Sequence, residues 1–237
     1  MSKLSARLVV LFLFVLTSAP MALAQDAPVA DSVSFSDVIS GGGAVGWIII
    51  CLSIVGLALT IDNYVNMRKQ KLAPPDVVDE VEALIEAGEY QEAMELCEAE
   101  PSYFTNIVAA GLPRLNASFE AMEKAVEEMG EEEQVKLFMK LGWISLIAAV
   151  APMLGLTGTV LGMIMAFKVI AATKGAANPA DLASNISLAL ITTLLGLLVA
   201  IPMTAAFVWL RNGVVKTTLE VAAVVEDIFE RFRPTKS

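Results

Sequence analysis

The chain has 237 residues, of which 56% are hydrophobic and 18% charged, with a mean hydropathy of +0.67; soluble domains run at about 45–50% apolar and about 25% charged, so this composition marks a membrane protein. Histidine is absent, which excludes a Ser-His-Asp triad, a Cys-His pair, an HExxH zinc site and a histidine proton relay, and two cysteines are too few for a structural zinc site. The formal charge of −10 argues against nucleic-acid binding, and residues 64–140 carry 17 acidic and 7 basic side chains, so one acidic soluble segment interrupts neutral, apolar sequence.

In chain order, Lys3 and Arg7 precede the apolar run Leu8–Leu16 and the small-residue site Ala22-Leu23-Ala24. This is the layout of a cleavable signal peptide over 1–24; the alternative, a retained span, is short of the ~20 apolar residues that crossing a bilayer needs. Residues 25–40, with Pro28 and several Asp and Ser, read as an unstructured outer segment. Three uncharged stretches follow, 38–61, 141–167 and 182–210, each exceeding the spanning length of ~20 residues. The assigned spans are 41–63, 141–167 and 182–210, with a helical segment over 64–140, a loop over 168–181 and a C-terminal helix over 211–237. Arg68, Lys69, Lys71, Lys136, Lys140, Arg211 and Lys216 flank the spans on one side and outvote Lys168 and Lys174. The positive-inside rule therefore gives an outer N-terminus, a cytoplasmic C-terminus and a periplasmic 168–181 loop.

Within 64–140, Pro74-Pro75-Asp76 is a helix start and Gly88 a stop, enclosing apolar positions at helical spacing over Val77–Ala87. A second short helix spans Glu89–Ala99 and ends at Glu100-Pro101. The stretch VEALIEAGEYQEAMELCEA resembles a helical hairpin of the tetratricopeptide kind. From Ala117 to Lys140 Gly130 is the single breaker, so one helix should run into the second span. Glu131-Glu132-Glu133 is a solvated helix face or, alternatively, a docking surface. Beyond the third span, Val214, Val215, Leu219, Ala222, Val225, Ile228, Phe229 and Phe232 recur at helical spacing and predict a long amphipathic helix. The predicted fold is an all-α membrane protein, with three transmembrane helices and long helices extending into a cytoplasmic helical domain.

The second apolar stretch contains Pro152, Gly155, Gly158 and Gly162, and the third contains Thr192, Thr193, Gly196 and Pro202. At about 100° per residue, Gly155, Gly162 and Ala166 lie within roughly 60° of Thr159, and Ala189, Gly196, Ala200 and Thr204 within roughly 60° of Thr193. Each helix thus carries a small-residue stripe bearing a threonine, at similar depths. Such stripes let helices approach closely, and the hydroxyls bond across the interface or line water; the alternative is that they back-bond to their own helices in plain packing stripes. No ionisable residue lies in the second or third stretch, so the chain cannot carry protons on its own titrating side chains and another polypeptide must supply a carboxylate. Neither enzymatic catalysis nor a cofactor is expected.

The segments APMLGLTGTVLGMIMAF at 151–167 and ISLALITTLLGLLVAIP at 186–202 resemble the signature of the MotA/TolQ/ExbB proton-channel family, most closely its ExbB and TolQ members. The resemblance implies a homopentamer around the single spans of a dimeric ExbD- or TolR-like partner, whose intramembrane aspartate carries the proton. It implies an inner-membrane location and coupling of ion-motive force to a TonB-like rod or to envelope maintenance. It also implies that Thr159 and Thr193 are the pore threonines, and that Pro152, Gly155, Gly158, Gly162, Gly196 and Pro202 are packing residues. Many ExbB and TolQ chains carry a glutamate where Leu188 stands here, which leaves open a sodium-driven variant with oxygens from Thr159, Thr192 and Thr193. A MotA-like stator needs four spans and a larger cytoplasmic domain, so only a retained N-terminal segment would allow it; a non-conducting membrane scaffold is the other alternative.

Overall fold

The structure is a computed structural model that describes residues 43–115 and 118–232; the signal-peptide and outer-segment assignments over 1–24 and 25–40 lie outside the described residues. Every regular element among the described residues is helical. They are α1 (Gly43–Asn66), α2 (Lys69–Leu72), α3 (Pro75–Ala87), α4 (Tyr90–Ala99), α5 (Tyr103–Gly111), a single 3₁₀ turn (Leu112–Arg114), α6 (Phe119–Ala172) and α7 (Pro179–Glu230). Helices α1, α6 and α7 are long and apolar enough to cross a membrane. Both α6 and α7 continue without a break well beyond their apolar stretches, and each runs through an internal proline, Pro152 and Pro202.

The chain divides into two compact units. In the unit formed by Leu52–Ala149 and the described residues from Met203 onward, the helical hairpin forms for local reasons. Pro75 occupies the first turn of α3, where its missing N–H costs nothing. Gly88 closes the helix at φ +79°, and the Gly88 and Glu89 amides cap the carbonyls of Ile85 and Leu84; an L side chain at that φ is strained, which is why glycine fits. Helix α5 has no counterpart among the elements expected from the sequence. Its signal is Ser102, whose hydroxyl accepts from the Thr105 amide at 3.2 Å while the Thr105 hydroxyl accepts from the Ser102 amide at 2.7 Å. A threonine thereby replaces the usual Glu or Gln of a capping box. Helix α5 then buries Phe104, Ile107 and Val108.

The C-terminal half of α7 finds its partners in this same unit. Val214, Thr218, Val221, Val225 and Ile228 are buried, the alternating four-and-three spacing of a coiled-coil seam. The Gln134 amide donates to the Thr218 hydroxyl at 2.9 Å, a polar pair in an apolar seam that holds α6 and α7 in one register. Arg231 bonds Glu82 at 2.8 Å and also contacts Glu86, while Phe232 meets Tyr90 edge-on. Tyr64 stacks on Trp209, and the Arg68 guanidinium lies over the Tyr64 ring at 4.4 Å from its centroid, the arrangement of aromatic and basic groups expected at a membrane interface.

Cys97 is buried in the hairpin, and burial pushes its thiol from 9.0 up to about 11. The neutral thiol is therefore favoured by folding: its contribution is complete below pH 9 and is lost as pH rises towards 11. The thiolate is the nucleophile, and its fraction falls about tenfold per pKa unit. In a Cys51→Ser variant at pH 8, maleimide should label Cys97 about 100-fold more slowly than in the denatured chain. Equal labelling rates would contradict this placement of Cys97.

In the other unit, Val150–Pro202 with the described residues up to Cys51, α6 and α7 pack backbone to backbone. A Cβ on Gly155 would lie 2.9 Å from the Thr192 carbonyl oxygen and 3.0 Å from the Thr193 Cα, and one on Gly196 would lie 2.6 Å from the Ala151 carbonyl oxygen. Small residues at these positions are what let the two helices meet so closely. Gly46 of α1 lies against Leu195, but the most apolar part of α1 is only 17% buried against 39% in α7. Helix α1 therefore leaves most of its bulky surface for lipid or for other chains.

Candidate functional site

The small-residue stripes of α6 and α7 place three threonines together. The Thr159 and Thr193 hydroxyls are hydrogen-bonded to one another across the helix interface. Thr159 also lies 3.1 Å from the Ala189 carbonyl and 3.3 Å from that of Gly155, four residues earlier on its own helix. The Thr193 hydroxyl lies 3.2 Å from the Gly155 carbonyl of the facing helix. Thr192, 4% exposed, lies 2.7 Å from the Ala189 carbonyl and 3.2 Å from that of Gly155. Back-bonding and cross-bonding thus coexist, and both backbone carbonyls serve hydroxyls from both helices.

Each hydroxyl has one proton to donate, so the Thr159–Thr193 pair has two equivalent directions. Thr159 donates to Thr193, which donates to Gly155; or Thr193 donates to Thr159, which donates to Ala189. The pair can offer a donor or an acceptor to a third group without leaving either carbonyl far from a proton. That property is unusual at this depth in apolar sequence, where an unmet polar group is expensive.

The remaining candidate residues frame this cluster. A Cβ on Gly158 would fall 2.6 Å from the Thr192 Cβ, and one on Gly162 would fall 2.5 Å from the Ala189 Cβ. Pro152 and Pro202 both lie inside their helices, so the carbonyls of Ala148 and Leu198 lose their usual helical donors. Ala166, Ala189 and Ala200 are buried as their place on the stripes implies, whereas Thr204 is exposed. Leu188 is 38% exposed. Sequence reasoning does not single out the Gly155 and Ala189 carbonyls as acceptors, since both also take hydroxyls from the facing helix.

These features define a multi-pass helical membrane protein whose interior polarity comes from hydroxyls and backbone carbonyls rather than from titrating side chains. The profile of the MotA/TolQ/ExbB proton channel family matches residues 99–222, more than half of the chain, and the chain belongs to that family. It is 30% identical over 166 residues to an ExbB homolog of Methanothermobacter thermautotrophicus described as a putative biopolymer transport protein, covering 70% of this chain and 58% of that protein. It is 43% identical over 75 residues to the biopolymer transport protein exbB1 of Vibrio cholerae, covering 32% of this chain and 33% of that protein. It is 37% identical over 101 residues to the biopolymer transport protein ExbB of Aquifex aeolicus, covering 42% of this chain and 68% of that protein. The chain thus spans less than two thirds of the length of the first two of these relatives.

Proposed function

We propose that the chain is the channel subunit of an ion-driven motor of the bacterial inner membrane, with its N-terminus periplasmic and its C-terminus cytoplasmic. Five copies surround an ExbD- or TolR-like single-span partner, and the assembly drives a TonB-like rod or envelope maintenance. The observation that supports this best is the Thr159–Thr193 hydroxyl pair between two spans free of ionisable residues. A partner carboxylate entering there meets donors while it is charged and acceptors while it is protonated. Its neutral form crosses the apolar surroundings cheaply and its charged form does not, so ion transfer is tied to displacement of the partner. The orientation follows from the basic residues Arg68, Lys69, Lys71, Lys136, Lys140, Arg211 and Lys216 on one side of the spans.

A sodium-driven version is favoured by one feature, the three hydroxyls and two carbonyls gathered around Gly155 and Ala189, which are hard oxygen donors without a titrating acid. Native mass spectrometry of the chain purified with its co-expressed partner tests the assembly. The expected mass is that of five copies of this chain with two of a single-span protein. A spectrum of monomers alone in mild detergent would count against it.

A further inference from the structure

The end of α1 and one face of α7 meet in a basic recess with an aromatic wall. At about 100° per residue, Gly213, Lys216 and Glu220 lie within roughly 40° of Trp209 on that face of α7. Tyr64 stacks on Trp209 with ring centroids 5.3 Å apart, and Lys69 bonds Glu220 at 2.9 Å, so the turn after α1 runs beside the same face. A Cβ on Gly213 would meet nothing within 4 Å, which leaves bare backbone between the indole and Lys216. Four cations stand around this gap. Lys69 and Lys216 share the Glu220 carboxylate, Lys71 meets the Asn66 side-chain oxygen at 3.5 Å, and the Arg68 guanidinium lies over the Tyr64 ring. Among the described residues, neither Arg68 nor Lys71 forms an ion pair. Asp62, the acid on α1, accepts from the Asn66 amide at 2.8 Å.

An apolar track leads to the recess. Ile54, Leu57, Ile61 and Val65, at three- and four-residue spacing on α1, are 43–65% exposed on a helix long and apolar enough to cross a membrane. An acyl chain lies along such a stripe without desolvating a polar group, and a headgroup phosphate at its end reaches cations that no described carboxylate engages. A zwitterionic headgroup brings its own cation and gains less. We propose that the recess at Gly213 binds the phosphate of an anionic lipid, held by Arg68 and Lys71 with Lys216 on the far side, and with Tyr64 and Trp209 at headgroup level. The site needs α1 and α7 to cross the membrane and would persist in a chain that conducts nothing.

The test uses the full chain with W47F/W143F, which leaves Trp209 as its one tryptophan. It is reconstituted into vesicles of phosphatidylcholine and phosphatidylglycerol, one lipid at a time carrying bromines near the headgroup end of its acyl chains as quencher. Brominated phosphatidylglycerol should quench Trp209 at about tenfold lower mole fraction than brominated phosphatidylcholine. The preference should vanish in R68Q/K71Q, and also in G213L, whose new side chain fills the gap while its Cβ meets no protein atom within 4 Å. It should persist in R114Q/K124Q, which removes as many charges from the 3₁₀ turn and from a point on α6 about 25 Å along the helix from its apolar stretch. Equal quenching by the two lipids would overturn the proposal, as would the same preference in R68Q/K71Q as in R114Q/K124Q. Weak quenching by both lipids would show that another chain covers the recess, and would equally overturn it.

Discussion

Replacing Gly196 by leucine is expected to disrupt the packing of α6 against α7. The new Cβ would sit 2.6 Å from the Ala151 carbonyl oxygen and 3.2 Å from the Gly155 Cα; these are backbone atoms, which cannot swing aside as a flexible side chain would. Helices α6 and α7 must separate, and a shift of about 1 Å carries the Thr159–Ala189 and Thr193–Gly155 contacts beyond hydrogen-bonding distance. Overpacking costs about 1–3 kcal/mol and each lost interhelical bond about 1–2 kcal/mol, so the combined effect should exceed about 3 kcal/mol. Gly142→Leu provides the control, because a Cβ there meets nothing within 4 Å. The thermal melting temperature in detergent should fall sharply for Gly196→Leu and barely change for Gly142→Leu. Equal stability of the two variants would refute the backbone-to-backbone packing.

The second large effect falls on conduction rather than assembly. Thr→Val keeps the branched shape and removes the hydroxyl, so Thr159→Val with Thr193→Val should preserve the packing of the stripes while erasing the bonded pair. The loss of about 1–2 kcal/mol of interhelical interaction per site is too small to undo helix packing built on many apolar contacts. At about 1.4 kcal/mol per factor of ten in rate, the same loss at an ion-transfer barrier reduces flux by about tenfold per site. The double variant should assemble normally and conduct at a few per cent of wild type or less. Thr192→Val separates the roles further: Thr192 is buried at 4% exposure and bonded to both carbonyls, so its loss should show in stability before it shows in flux.

The apolar helices and the hairpin were legible in the sequence because their signals are local: long uncharged stretches, Pro75 at a helix start, Gly88 at its end. The stripes placed Thr159 and Thr193 each on the small-residue face of its own helix, because helical periodicity sets which residues share a face; that the two meet follows from the helices packing through those faces. Helix α5 was not legible, since its capping box uses Thr105 where Glu or Gln is the familiar partner. The acceptors of the threonine cluster were not legible either, because backbone carbonyls are the same at every residue and only the close approach at Gly155 and Gly196 selects two of them. The partners of the C-terminal amphipathic face were equally hidden. Nothing in residues 214–232 says that Thr218 meets Gln134, or that Arg231 meets Glu82, because those pairings depend on how distant segments return to one another.

The most direct test of a partner-dependent channel is ion flux into proteoliposomes. The chain would be reconstituted with the proposed single-span partner, alone, and with that partner's intramembrane Asp changed to Asn. The account predicts flux driven by a pH gradient, or by a sodium gradient in the sodium-coupled variant, only with the intact partner. Undiminished flux from the chain alone, or from the Asp→Asn complex, would contradict it.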